Sequence, residues 1–283
     1  MSNIDKSTVD SFGDEGERFD QSNMTSKESK KIFNDYFEIF PWEAVNGNSV
    51  GFDMGCGSGR WAKFVAPRVG HLNCIDPSSA IFVAEKSLRK YDNITFLQGS
   101  VSDNSVKHNS QDFGYSLGVL HHVPNTKKAI NSCVELLKPG APFLLYLYYF
   151  FDNKPKIYKF IWHISNIFRR AISLFPSPIK NLSTDFIALI VYFPLARTSK
   201  FIEKIGLNSS NIPLSYYKDT SFYVMRTDSR DRFGTPLEKR FSKLEIEKMM
   251  LESGLRHIKF SNHEPYWCVV GFKKHSQRGD NAS

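Results

Sequence analysis

The sequence predicts an α/β fold built on a parallel sheet, with a helical insertion before its last helix and strands. Three observations carry this reading. Between about residues 48 and 150, short apolar strands alternate with helical stretches, the pattern of βαβ units. A glycine-rich turn, Asp53-Met-Gly55-Cys-Gly57-Ser-Gly59, joins the first of those strands to a helix. The last two strand candidates, RHIKFS and YWCVVGFK, are separated only by Asn262-His-Glu-Pro265. That hairpin spacing sets the final strand antiparallel to its neighbour.

Residues 1–30 are polar and charged and read as a loose arm. KKIFNDYFEIF then puts Ile32, Phe33, Tyr36, Phe37 and Phe40 on one helical face before Pro41 ends it. The strands SVGFDMG, HLNCIDP, ITFLQGS, DFGYSLGVL and PFLLYLYYF follow in order. Between them lie the helical WAKFVAPRV, SAIFVAEKSLRKY and NTKKAINSCVELLKPG. The alternation stops near residue 150, and an aromatic, basic stretch begins with helical segments around 157–174 and 184–205. Core rhythm resumes at SKLEIEKMMLESG, where Ser242 and Glu245 have capping-box spacing and Gly254 stands at the helix end. The expected organisation is an N-terminal arm and cap helix (1–43), a core (44–150 with 240–275), and a helical, aromatic cap insertion (151–239).

A chain of 283 residues can bury a large core without staples. With 41% hydrophobic and 23% charged residues, it is neither a disordered nor a multi-span membrane chain. Cys56, Cys74, Cys133 and Cys268 are far apart with no C-x-x-C pair, so reduced thiols are expected, without a disulfide framework or a metal site. MSNIDKSTVD has neither the basic start nor the apolar run of a secretory signal. The longest apolar run, 186–196 with Pro194 inside it, falls short of the ~20 residues that span a bilayer. A cytoplasmic chain is the expectation. The formal charge of +8 admits nucleic acid, anionic lipid or an anionic small molecule as partner.

The glycine-rich turn invites three nucleotide readings. A phosphate-binding loop needs Lys and then Ser or Thr after its glycines, whereas here Gly59-Arg60-Trp61 follows. The dinucleotide fingerprint G-x-G-x-x-G also differs from the G-x-G-x-G found here. Asp53 would repel a pyrophosphate, but it suits a ligand bearing ammonium and sulfonium charge, such as S-adenosylmethionine. Asp76 ends the next strand, 21 positions after Gly55, where a carboxylate can accept from both ribose hydroxyls. FLQGSVSD ends the third strand, where an adenine edge would be read. DFGYSLGVLHHVPN brings Gly118 and the pair His121-His122 to the carboxyl end of the fourth. Ligands of open α/β sheets bind at those carboxyl ends, so the four elements converge.

The segments GFDMGCGSG, CIDPS, GSVSD, DFGYSLGVLHHV and LLKPGAPFLLYLY resemble the class I S-adenosylmethionine-dependent methyltransferases, especially small-molecule types. The resemblance covers about residues 48–150 and 240–273. It implies a Rossmann-like, seven-stranded, mostly parallel sheet with an antiparallel last strand. It also implies S-adenosyl-L-methionine as cofactor and S-adenosyl-L-homocysteine as product. On that pattern Gly55, Gly57 and Gly59, with Ser58 and Arg60, line the methionine end, and Asp53 stands near its amino group. Asp76, beside Pro77, takes the ribose, and Leu117 and Gly118 complete the cofactor set. Family members often carry Asp where this chain has Ser100. Ser100-Val101 keeps the backbone contact to adenine, and Asp103 or the Ser100 hydroxyl supplies any side-chain contact.

Methyl transfer rests on positioning the acceptor lone pair in line with the S–CH₃ bond. An oxygen acceptor also gains from a base, commonly His. His122 is the first candidate, as a His at this strand end serves as base in the sugar O-methyltransferases the chain resembles. His121 is the second candidate, and Asp152, just past the fifth strand, is the carboxylate to orient either ring. Helix capping or packing beside the cofactor is the plainer role for one of them. The expected acceptor is small and polar, a hydroxyl on a sugar or a related metabolite, anionic ones included. Carbon methylation of a small or lipid-linked acceptor is the alternative. RNA methylation is favoured by net charge alone, without an Asn-Pro-Pro-Tyr motif or an RNA-binding module, so nucleic acid is not an expected partner. A non-catalytic adaptor fits least.

Residues 151–205 carry nine Lys or Arg against three Asp or Glu. Lys154, Lys156, Lys159, Arg169 and Arg170 interleave with Ile157, Phe160, Ile161, Trp162, Ile164 and Phe168. This reads as a solvated helix face, or as a surface for peripheral contact with an anionic membrane or a phosphate-bearing substrate. A second cluster of Tyr216, Tyr217, Lys218, Tyr223, Arg226, Asp228 and Arg232 suits sugar or carboxylate recognition, and equally surface ion pairing. Sequence leaves the acceptor's identity and the oligomeric state open.

Overall fold

Among the described residues seven strands appear, five where the alternation placed them, β1 (Val50–Met54), β2 (His71–Asp76), β3 (Ile94–Gln98), β4 (Phe113–Leu117) and β5 (Pro142–Tyr146), and two in the closing hairpin, β6 (Leu255–Phe260) and β7 (Cys268–Lys273). The computed structural model describes residues 3–275, so residues 1 and 2 of the N-terminal arm lie outside the described residues. The sheet runs in the order β3-β2-β1-β4-β5-β7-β6. The first five strands pair in parallel, and β7 is antiparallel to both β5 and β6. Strand order reverses at β1, between β2 and β4, and that switch point opens the crevice at the carboxyl ends.

Among the described residues ten helices surround the sheet: α1 (Lys6–Arg18), α2 (Ser26–Phe37), α3 (Ala62–Val65), α4 (Ala80–Leu88), α5 (Thr126–Leu136), α6 (Lys156–Ile172), α7 (Ser177–Ile187), α8 (Phe193–Lys204), α9 (Phe222–Gly234) and α10 (Lys243–Glu252). One face packs Ile32, Phe33 and Phe37 of α2 against Phe113, Tyr115 and Leu144. The other packs Ile130 and Val134 of α5 and Ile246 and Met250 of α10 against Phe52, Phe143 and Leu145. Strands covered on both sides need apolar residues throughout, and every residue of β4 and β5 is buried. The four cysteines are free and buried. The capping box of Ser242 and Glu245 closes the start of α10, and Gly254 takes φ +88° beyond its end.

β1 and β4 interlock through glycine. Gly51 pairs with Phe113, and Phe52 pairs with Gly114. A Cβ on Gly51 would lie 2.2 Å from the Phe113 ring, and one on Gly114 would lie 2.2 Å from the Phe52 ring. Each aromatic ring therefore seats over bare backbone of the neighbouring strand, one in each face's core.

Three parts of the chain differ from the sequence expectation. The loose arm is in fact α1, started by the Asp5 carboxylate, which accepts from the Thr8 N–H at 2.9 Å. Its buried face is Thr8, Ser11, Gly13 and Gly16, so it shows no apolar period. Small residues are needed there because a Cβ on Gly16 would sit 2.4 Å from the Ala80 side chain in α4. The second cap helix starts earlier than residue 184 and runs unbroken from Ser177 to Lys204, through a π-helical turn at Ala188–Tyr192. Pro194 follows directly on that π-helical turn, the local irregularity where the continuous helix accommodates it. Finally, α9 buries Thr227, Ser229 and Arg230 along with apolar residues, which hides its periodicity.

Gly51→Ala and Gly114→Ala should each destabilise the fold by about 1–3 kcal/mol, the usual cost of overpacking a filled core. Urea denaturation would show this as a lower midpoint at unchanged slope, and an unchanged midpoint would mean the rings can move aside.

Candidate functional site

The carboxyl ends of β1, β2 and β4, roofed by α1 and the cap, enclose a cavity of about 460 Å³. That is within the roughly 300–1,000 Å³ of small-molecule and cofactor sites. The loop after β1 is pinned to β2: the Gly55 and Cys56 N–H groups both donate to the Ile75 carbonyl, at 2.7 and 3.1 Å. Gly57 takes φ +52° and has nothing within 4 Å of an added Cβ, so its bare backbone faces the cavity. Gly118 does the same at φ +80°.

Gly59 has another task. It is not on the cavity wall, and a Cβ there would strike Leu88 at 2.6 Å, so this glycine lets α4 pack close. Ser58, Arg60, Pro77, Ser100, Val101, Leu117 and Gly118 do line the cavity, with Gly55, Gly57 and Asp76. Asp103 does not: it is exposed, and its backbone pairs with Ser100.

Asp76 is held by the turn it begins. One oxygen accepts from the Ser78 N–H at 2.8 Å and the Ser78 hydroxyl at 2.6 Å, and the other accepts from the Gly57 N–H at 2.9 Å. A carboxylate has about four acceptor sites, so one remains for a ligand hydroxyl. Asp53 is placed differently from its expected position at a ligand's amino group. It lies wholly buried beneath the loop, off the cavity wall, and neither oxygen has a hydrogen-bond partner. Burial pushes its carboxyl well above the usual range, against the neighbouring Tyr115 hydroxyl, with the Asp76 charge adding to the rise.

The other half of the cavity comes from elements without a strand-end motif. α1 contributes Phe12 and Glu15, α6 contributes Tyr158 and Ile161, and α9 contributes Thr227, Asp228, Asp231 and Arg232. The end of β5 adds Tyr146, Tyr148 and Tyr149. Of the second sequence cluster, Tyr216, Tyr217, Asp228 and Arg232 reach the wall. Lys218 and Arg226 instead pair with Glu203 and Asp185, and the Tyr223 hydroxyl accepts from the Gln21 N–H. Glu15, Asp231 and the tyrosines after β5 were not singled out by sequence. For the tyrosines alone the run LYLYYF was a visible signal, since its alternate residues leave the sheet at its carboxyl edge.

The two histidines lie on one 3₁₀ turn, Leu120–His122, and do different things. His121 is fully buried off the cavity wall, stacked on Tyr148 with ring centroids 4.0 Å apart. Burial, then His122 and Arg240, pull it well below the usual imidazole range. His122 is on the wall. Its Nδ1 lies 2.6 Å from the Leu237 carbonyl, and since a carbonyl only accepts, Nδ1 carries a proton. Among the described residues its Nε2 has no hydrogen-bond partner and stands 3.6 Å from Asp231 Oδ1, while the Tyr148 hydroxyl donates to Asp231 Oδ2 at 2.6 Å. Asp152 is elsewhere: it accepts from the Lys243 N–H at 2.8 Å and from Trp267 Nε1 at 3.1 Å, fastening the chain after β5 to the start of α10. The carboxylate beside the histidine is Asp231.

Residues 52–145 match a family model described as a methyltransferase domain. Over 111 residues the chain is 30% identical to a ubiquinone biosynthesis O-methyltransferase of Saccharophagus degradans, covering 38% of this chain and 46% of that protein. Over 125 residues it is 27% identical to phosphoethanolamine N-methyltransferase 2 of Caenorhabditis elegans, covering 43% of this chain and 27% of the other. The chain thus spans less than half the length of these curated relatives. Among solved structures, it resembles a protein of Thermotoga maritima described as a possible histamine N-methyltransferase, at 12% identity and TM-score 0.50, over 93% of this chain and 100% of that one.

Asp228 reports on the charge balance of the cavity. Burial raises its carboxyl to about 6, with Arg60 and Tyr217 opposing the rise. A carboxyl held above its unfolded value stabilises the fold fully below about pH 4 and loses that contribution as pH rises through about 6. Asp228→Asn should flatten stability across that window. A carboxyl-detected NMR titration should place the Asp228 midpoint near 6, and higher in Arg60→Ala. A native midpoint at the ordinary aspartate value would overturn the assignment.

Proposed function

On the core of a class I S-adenosylmethionine-dependent methyltransferase, we propose that this chain methylates a hydroxyl of a small polar acceptor, with His122 as general base. One observation carries the reading: Nδ1 of His122 is committed to the Leu237 carbonyl while Nε2 is left partnerless on the cavity wall. A neutral imidazole fixed in that tautomer presents a lone pair to the cavity.

The residues present fit the cofactor. The bare backbones of Gly57 and Gly118 leave room for its amino acid end, Asp76 retains an acceptor site for ribose, and Ser100-Val101 stands at the wall for adenine. When bound, it supplies an electrophilic methyl group on a sulfonium. The protein does the rest by placement and proton transfer. An acceptor O–H donated to Nε2 passes its proton there as the oxygen gains the methyl group. The resulting imidazolium faces Asp231, whose carboxylate the Tyr148 hydroxyl holds in place. Nδ1 keeps its proton throughout, so the ring need not turn.

A second reading has its own observation. Glu15 Oε2 and Asp231 Oδ1 are both buried without hydrogen-bond partners, and both residues line the cavity. Such carboxylates among tyrosine rings would receive an amine acceptor. The relative from C. elegans is by name an N-methyltransferase.

His122→Asn should lower kcat about 10²–10⁴-fold, the usual worth of a general base, and leave S-adenosylhomocysteine affinity within about twofold. Wild-type turnover in that variant would remove His122 from the mechanism. Asp76→Ala should weaken S-adenosylhomocysteine binding at least about tenfold by calorimetry, as one lost charged hydrogen bond with ribose predicts. Unchanged affinity would sink the cofactor assignment. Transfer of labelled methyl to fractionated extract, followed by identification of the product, separates oxygen from nitrogen acceptors.

A further inference from the structure

The helices of the cap are inside out for a protein surrounded by water. On α6 the apolar row Ile157, Phe160, Ile161, Ile164, Ile167 and Phe168 has amphipathic spacing, yet every member is exposed, Ile167 to 69%. The helix from Ser177 to Lys204 repeats the arrangement. Its outward positions include Ile179, Leu182, Phe186, Ile190, Phe193 and Phe201, with Leu182 73% exposed. Its inward row is small or polar instead: Lys180, Thr184, Ala188, Tyr192, Ala196 and Ser199 are buried against the protein. Contiguous apolar surface on this scale marks an interface.

The charges select the partner. α6 contains no acidic residue, and exposed Lys156 and Arg170 stand on it beside the apolar row. On the second helix the acids are engaged elsewhere, Asp185 with Arg18 and Arg226 and Glu203 with Lys218, while Lys204 is exposed. A second copy of the chain would bring the same positive charges face to face. An anionic bilayer would complement both the apolar rows and the basic flanks. By length and composition the 28-residue helix could cross a bilayer, but its buried row and the Asp185 ion pairs hold it lengthwise along the protein. The geometry therefore points to a helix lying in the interface.

We propose that α6 and the Ser177–Lys204 helix dock this chain flat on an anionic membrane, and that its acceptor is reached from the lipid side. Ile161 and Val191 line the cavity and are also 41% and 39% exposed, so the cavity's mouth opens within the apolar surface. A hydroxyl on an amphipathic, lipid-borne molecule can enter there without its tail crossing water. The acceptor clause rests on the methyl-transfer reading above; the docking does not.

Cosedimentation with vesicles tests the docking. The full chain should bind phosphatidylglycerol–phosphatidylcholine vesicles at least tenfold more tightly than pure phosphatidylcholine, and the binding should weaken with salt. Phe160→Glu combined with Ile167→Glu should reduce binding at least tenfold while S-adenosylhomocysteine affinity stays at its wild-type value, which shows the variant folded. Absence of binding to anionic vesicles at low salt overturns the proposal. So does a wild-type dimer that the double variant converts to monomer, because a second copy would then cover the face. Failed vesicle binding beside intact S-adenosylhomocysteine binding leaves methyl transfer standing, and the converse result sinks methyl transfer alone.

Discussion

The chamber depends on one buried cation. Arg230 of α9 is fully inaccessible, and a guanidinium taken out of water must find acceptors or unfold its surroundings. It finds Asn181 Oδ1 on α7 at 2.9 Å and the Ser11 hydroxyl on α1 at 3.1 Å. Gly234 has no Cβ because one would lie 2.0 Å from the same guanidinium. Two segments far apart in the chain are thereby locked around α9, and α9 is the helix that carries Asp228, Asp231 and Arg232 to the cavity. The N-terminal segment is ordered for the same reason: without it, Arg230 would lose Ser11.

The core was legible because its signals are local. Strand alternation, the glycine turn, the acid before Pro77 and the capping box each depend on neighbours in sequence, and each was found in place. The cap was less legible because buried polar and small residues share its interior with a small apolar cluster of Ile172, Tyr192, Ala196, Met225 and Phe233. α1 buries Ser11 and two glycines, which leaves hydrophobic periodicity nothing to detect, and α9 mixes a buried arginine, Thr227 and Ser229 among its apolar residues, which blurs the period. Exposed apolar rows on α6 give the opposite error, since periodicity reports that a face is apolar and is silent on what covers it.

At the site, residue type was legible and partnership was not. His121 and His122 are adjacent and chemically identical, and only tertiary packing sends one ring onto Tyr148 and the other to the wall. Asp152 looked suitable because it follows β5 closely, yet Trp267 and the Lys243 N–H claim it. Asp231 reaches His122 from a different element altogether. Gly59 shows the same limit: its positive φ fits a ligand loop, but the close neighbour is a helix.

The roof over the cavity is attached by small and polar side chains, where the sheet is attached by interlocked phenylalanines. Contacts of that kind bury little apolar area, so lifting α1 exposes far less to water than loosening any strand. Because α1 meets α4 on one side and α9 on the other, one segment spans both halves of the cavity. A change that loosens α1 therefore reaches the Asp76 end and the Asp231 end of the cavity together.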